Sequence, residues 1–217
     1  MNIIYYDNNI IVCIKPAGVI STDEEGGMPQ LLREALGDEN ADIRAVHRLD
    51  QVVSGLMVYA QSNAAASELS RQIRCGEFHK SYLAVVHGVP EGRKGRFEDI
   101  LLRSKEKRKT FVINKPARGA QNAILDYELL GSNGERSLVA IELITGRTHQ
   151  IRAQFSHRRL PLLGDRKYGA GEDDCRIALW SYSLSFLNPE TGKRMDFRVK
   201  PPRVYPWSDF DTSLFPK

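Results

Sequence analysis

At 217 residues the chain is long enough to bury roughly 70% of its unfolded surface, so it needs neither disulfide nor metal to hold a core. Hydrophobic residues make up 41% and charged residues 27%, which excludes a disordered, collagenous or disulfide-stapled chain. Lys plus Arg exceed Asp plus Glu by 31 to 27, a net charge of +4 that permits an anionic partner without demanding one.

Residues 3–6 and 10–14 read as two short strands joined through Asp7-Asn8-Asn9, and Lys15-Pro16-Ala17-Gly18 stops the second. A Gly-rich loop over 21–27 leads to Pro29, which opens a helix over 30–36 closed by Gly37. The polar cluster His47, Arg48, Asp50 precedes an apolar run, 56–60, with the length of one buried strand. Ser62 is the expected N-cap of a helix over 63–74, ended by Gly76, whose Ala65, Leu69 and Ile73 form one apolar stripe.

Residues 80–87 read as a strand with Tyr82, Ala84 and Val86 on one face. Gly88, Pro90, Gly92 and Gly95 suggest a long turn region. The stretch 103–109 then carries five positive charges and one negative, either a solvated loop or a footprint for a phosphate backbone. Strands are expected over 111–113, 123–130 and 137–144, the last two joined by a hairpin turn at 131–134. A helix over 148–157 follows, and strands 184–187 and 195–199 pair around the turn 188–192. Many strands, two or three helices and frequent hairpins predict an α+β fold with a mixed, mostly antiparallel sheet. No Gly/Ser or Pro-rich linker divides the chain, so residues 1–217 are expected to form a single domain.

Cys13, Cys75 and Cys175 are isolated, with no zinc-ligand spacing, and read as reduced residues; no metal is expected. The N-terminus lacks the basic start and long apolar core of a signal peptide, and no apolar run is long enough to span a bilayer. A cytoplasmic, soluble monomer with no membrane association is the expectation.

Three constellations could carry chemistry. Asp50, with His47 and Arg48 before it and a buried strand after it, is either a turn former or a carboxylate put to use. In the segment 146–152, Thr148, Ile151 and Arg152 would share a helix face, setting an aliphatic side chain beside a guanidinium. Tyr82 sits mid-strand, where a tyrosine is either core packing or a ring that stacks on a flat base.

At spaced points over most of its length the chain resembles the RluA-type pseudouridine synthases. The resemblance lies in Ile11 to Gly18, in His47-Arg-Leu-Asp50 with Ser54-Gly-Leu56, and in Lys80 to Gly88. It continues in Gly146-Arg-Thr-His-Gln-Ile-Arg152 and in Leu163-Gly-Asp165 with Lys167-Tyr-Gly169. It implies a pseudouridine-synthase-like domain with a central cleft and no N-terminal S4 module, isomerising uridine to pseudouridine in structured RNA. Asp50 would be the catalytic carboxylate, Tyr82 would pack on the target base, and Arg152 would pair with Asp50 with Ile151 as apolar support. Arg48 would fill the gap left by a flipped nucleotide, Lys15 and Pro16 would brace the floor of the site, and His47 and Arg147 would complete the substrate contacts. Three positions depart from the family's pattern: Val53, Leu125 and Trp180.

No cofactor is expected, because the reaction oxidises nothing and imports no group. Asp50 could attack C1′ of the ribose or take its 2′ proton. The partner would be a compact stem-loop of tRNA or rRNA, with a lean to tRNA. Two rivals remain: a catalytically inactive RNA-binding protein of the same fold, and a glycosidase, for which a second carboxylate near Asp50 would be expected.

Overall fold

The computed structural model describes residues 1–169 and 173–216. In chain order the elements are β1 (Asn2–Tyr6), β2 (Ile10–Lys15), α1 (Met28–Leu36), β3 (Arg44–Ala45), β4 (Ser54–Ala60), α2 (Asn63–Cys75), β5 (His79–His87) and β6 (Lys94–Ser104). They continue with β7 (Lys109–Ile113), β8 (Gln121–Ser132), β9 (Arg136–Leu143), α3 (Gln150–His157), β10 (Leu179–Leu187) and β11 (Arg194–Arg198). Two units form: residues 1–80 with 180–199, and residues 81–179 with 200–217.

In the first unit β2 lies antiparallel between β1 and β4, β4 runs parallel to β10, and β10 forms a hairpin with β11. β2 and β4 are apolar on both faces because both faces are covered. α2 supplies one cover: Ala65 and Leu69 pack against Val12, Leu56, Val58 and Phe186. Its ends are fixed locally. Ser62 Oγ accepts the Ala65 N–H at 3.1 Å, and Gly76 takes the left-handed conformation, φ 74°, that closes the last turn. Gln72, fully buried on this helix, donates from Nε2 to Leu187 O at 2.9 Å and accepts the Leu187 N–H at 2.8 Å. α1 starts at Met28, two residues before the expected start, because Pro29 fits the first turn of a helix.

β4 can approach β10 closely only because position 55 has no side chain. Gly55 sits at φ 122°, opposite Ser181 in the parallel ladder, and a Cβ there would lie 2.4 Å from Ser181 O. Gly55 is thus a requirement of the sheet.

The second unit is an antiparallel sheet in the order β5, β9, β8, β6, β7. β6 is a strand where only turn signals had been expected. Its alternation is masked by charge, since only Phe97 and Leu101 of its eleven residues are buried. With β7 it makes a hairpin, so the basic stretch 103–109 is a hairpin tip, closed by a 3.1 Å bond from Lys107 N–H to Ser104 Oγ. Lys105, Lys107 and Arg108 are exposed on it.

α3 begins at Gln150, not at 148 as the spacing predicts. His149 adopts the left-handed conformation, φ 56°, which a helix cannot contain. Thr148 therefore stands outside the helix and does not share a face with Ile151 and Arg152; its carbonyl accepts from Thr110 Oγ1 at 2.9 Å. Gln150 to Phe155 are all buried. The helix is anchored by Gln154, which donates to Asp99 at 2.7 Å, and by Arg158, which forks onto the same carboxylate at 2.8 and 3.1 Å. Each unit joins helices to a sheet that is wholly or mostly antiparallel, as an α+β fold requires. Among the described residues no helix is long and apolar enough to cross a membrane.

Candidate active site

The carboxylate of Asp50 is presented by a turn that is held from three sides. Val53 N–H donates to Asp50 O at 3.0 Å, closing the turn into β4. One residue earlier, Leu49 is pinned by Ser21, whose hydroxyl donates to Leu49 O at 2.9 Å and accepts the Leu49 N–H at 3.1 Å. One residue later, Gln51 exchanges bonds with Gly18: the Gly18 N–H reaches Gln51 O at 2.8 Å, and Gln51 Nε2 reaches Gly18 O at 2.9 Å. A backbone fixed before, at and after one residue leaves that side chain few directions to point.

Lys15 lies under the same turn. It ends β2 fully buried, and its Nζ donates to Val19 O at 2.7 Å, Pro16 O at 2.9 Å and Gln51 O at 3.1 Å. Three carbonyls match the three donors of an ammonium. Burial pulls the Lys15 ammonium down to about 8, while the negative charge of Asp50 acts in the opposite direction. Lys15 thus braces the turn mechanically and places a cation in the field of Asp50.

His47 is buried. Its Nε2 accepts the Val58 N–H at 3.1 Å, and its ring tilts against Phe78 at 5.6 Å. Burial, reinforced by the Lys80 cation, pulls the imidazole down to about 3, so the ring is neutral. Arg48 is exposed between buried His47 and buried Leu49. Cys13, buried in β2, has its thiol pushed up to about 12 by burial and is inert.

The second unit carries Tyr82, Arg147, Ile151 and Arg152. Tyr82 stands on β5 opposite Ile141 of β9 and is 5% exposed. Arg147 lies in the turn before α3. Its N–H reaches Gln150 Oε1 at 2.9 Å and its Nε reaches Asn122 O at 2.9 Å. Gln150 also accepts from Thr145 Oγ1 at 2.8 Å and donates to Ile124 O at 3.0 Å, which ties the 145–147 turn to β8. Ile151 and Arg152 are buried at the start of α3.

The guanidinium of Arg152 meets a carboxylate that spacing alone does not assign to it, that of Asp165. Arg152 Nε and Nη2 donate to the two oxygens of Asp165 at 2.7 and 2.8 Å, with 6% and 0% of the side chains exposed. Oδ1 of Asp165 also accepts the N–H groups of Lys167 at 3.0 Å and Tyr168 at 3.1 Å. The Tyr168 ring lies 5.1 Å from the guanidinium carbon of Arg152 and 4.7 Å from Lys109 Nζ. The Tyr168 hydroxyl accepts from Thr110 N–H at 2.6 Å and meets His149 Nδ1 at 2.9 Å. A signal for Asp165 was present: an arginine on a helix buried all round needs a carboxylate, and Asp165 is an acid in a short Gly-containing loop just after that helix.

Comparison with known proteins gives one consistent answer. The model of the RNA pseudouridylate synthase family matches residues 9–157. The ribosomal large subunit pseudouridine synthase C of Buchnera aphidicola subsp. Schizaphis graminum is 32% identical over 94% of this chain and 68% of its own length. The ribosomal large subunit pseudouridine synthase D of Borreliella burgdorferi is 33% identical over 84% of this chain and 60% of its own length. Among solved structures, human RNA pseudouridylate synthase domain containing 4 superposes with a TM-score of 0.78 at 23% identity. That match covers 93% of this chain and 89% of that one.

Proposed function

The chain belongs to the RNA pseudouridylate synthase family, and from that premise we propose that Asp50 carries out the isomerisation of uridine to pseudouridine in a structured RNA. The reaction breaks the N1–C1′ bond, turns the uracil and rejoins it through C5. Bond breaking builds positive charge at C1′, which a carboxylate stabilises or captures. The observation that carries the assignment to Asp50 is the setting of its turn: pinned by Ser21, Gly18 and Val53, and underlain by the Lys15 ammonium.

Tyr82 supplies a ring against which a base packs, and Arg152 a guanidinium able to make charge-assisted hydrogen bonds to the reacting groups. Ile151 adds apolar wall, which supports exclusion of water from a reactive ribosyl centre. Arg48, exposed beside Asp50, fills the space left by the extruded nucleotide. Arg147 contacts the RNA, while His47 serves by holding the segment that bears Arg48 and Asp50. Lys105, Lys107 and Arg108 at the β6–β7 tip grip phosphates, and this offsets part of the unstacking cost. No cofactor enters the scheme, and residues 1–217 work as one catalytic domain and as a monomer in the cytoplasm.

The RNA is a stem-loop in rRNA or tRNA. The names of the two bacterial relatives, both ribosomal large subunit enzymes, support rRNA ahead of tRNA. Mapping pseudouridines in total RNA from cells with and without the gene tests this reading. The expected result is loss of one or a few sites in rRNA or tRNA. An unchanged map would overturn it.

A further inference from the structure

We propose that Asp165 is the positioning residue of Arg152, fixing its guanidinium for turnover; this rests on the reading of Arg152 as part of the reactive machinery. An arginine side chain has many rotamers, and a guanidinium that must aim at one reacting group gains from being held beforehand. The structure holds it twice. Both Asp165 oxygens take the Nε and Nη2 edge, and the Tyr168 ring lies beside the guanidinium carbon.

Asp165 is in turn held by its own loop. The N–H groups of Lys167 and Tyr168 converge on its Oδ1, and Gly169 N–H bonds its carbonyl at 2.7 Å. Gly164, just before it, takes φ 69°, and a Cβ there would lie 2.5 Å from Arg176 O. The Gly164 N–H donates to Asp173 Oδ2 at 2.8 Å, and that oxygen also meets His87 Nε2 at 3.0 Å. Ser156 of α3 reaches over to Tyr168 O at 2.7 Å. The loop 163–169 is therefore a built cradle facing one guanidinium. A buried ion pair adds little net stability over an apolar pair of the same volume, so stability alone does not account for one so fully tied down.

The test uses the full-length protein and bulk RNA tritiated at uridine C5, isolated from cells lacking the gene. Tritium release gives kcat and KM, and filter binding gives RNA affinity. Asp165→Asn is expected to lower kcat about 10²-fold with RNA affinity within about threefold. Asp165→Glu is expected to recover at least about tenfold of that loss. In an Arg152→Ala background, Asp165→Asn is expected to cost nothing further, because a residue acting through another is silent once that partner is gone. A kcat for Asp165→Asn within threefold of wild type, or an undiminished loss in the Arg152→Ala background, overturns the proposal. If Asp165→Asn does not fold, nitrogen NMR of the wild type decides. A fork predicts separate, slowly rotating Arg152 Nη signals, and averaged signals refute it. Activity surviving in Asp50→Asn would sink the reading of the site as a whole; a dead Asp50→Asn beside a healthy Asp165→Asn would sink this inference alone.

Discussion

Lys15 Nζ donates to the carbonyl of Gln51 at 3.1 Å, so a buried ammonium underlies the turn that presents Asp50. Because burial holds this ammonium down to about 8, its charge is lost within a range a pH titration can reach. Turnover at saturating RNA is expected to decline as pH rises through about 8, and the Lys15→Met variant, with no charge to lose, is expected to lack that limb. Stability moves the other way. Between about 8 and the ordinary lysine value of about 10.4, the unfolded chain binds more protons than the folded one, so this group's contribution to stability rises with pH over that window. Rate profiles and denaturant melts of both proteins check the two signs together.

Asp50→Asn keeps the shape of the side chain and the bonds that pin its turn. Isomerisation is expected to fall at least about 10³-fold while RNA affinity stays within about tenfold of wild type. Tritium release and filter binding on the same preparation give both numbers.

At the β6–β7 tip, replacing Lys105, Lys107 and Arg108 together with alanine removes three exposed positive charges. Each lost phosphate contact lowers the slope of log affinity against log salt by about 0.7–0.9. The triple variant is expected to melt like wild type and to show a slope shallower by about 2. An unchanged slope would make the tip an ordinary solvated turn.

Gly55→Ala places a methyl carbon 2.4 Å from Ser181 O at φ 122°. The expected loss is at least about 2 kcal/mol in denaturant unfolding, from backbone strain and steric overlap together. Gly134→Ala is the control. It has φ 93° but open space around the added carbon, and is expected to cost about 1 kcal/mol.

What could be read from the chain before its fold was known followed from local rules. Ser62 and Gly76 bound α2 because capping chemistry is written in single residues. The apolar run before Gln61 became β4 because a strand covered on both faces has no polar side to confuse it. β6 stays hidden for the converse reason: only Phe97 and Leu101 are buried, and charged residues on either side of them outnumber the pair. Arg48 and Asp50 stand out as polar residues at the mouth of a core strand, whereas Lys15 is legible only through the family resemblance, because the Gln51 carbonyl it meets lies 36 residues further on. The start of α3 is not legible from spacing because left-handed His149 depends on tertiary contacts, among them the bond to Tyr168. Asp165 belongs to a recognisable motif, but spacing alone does not say which cation a loop carboxylate will meet.

The amide of Gln72 does the work of a missing neighbour strand at Leu187, satisfying one donor and one acceptor that would otherwise lie bare at the end of β10. Helix and sheet are therefore keyed to each other at one point by a buried polar contact, which fixes the seating of α2 on β10 more narrowly than apolar packing alone.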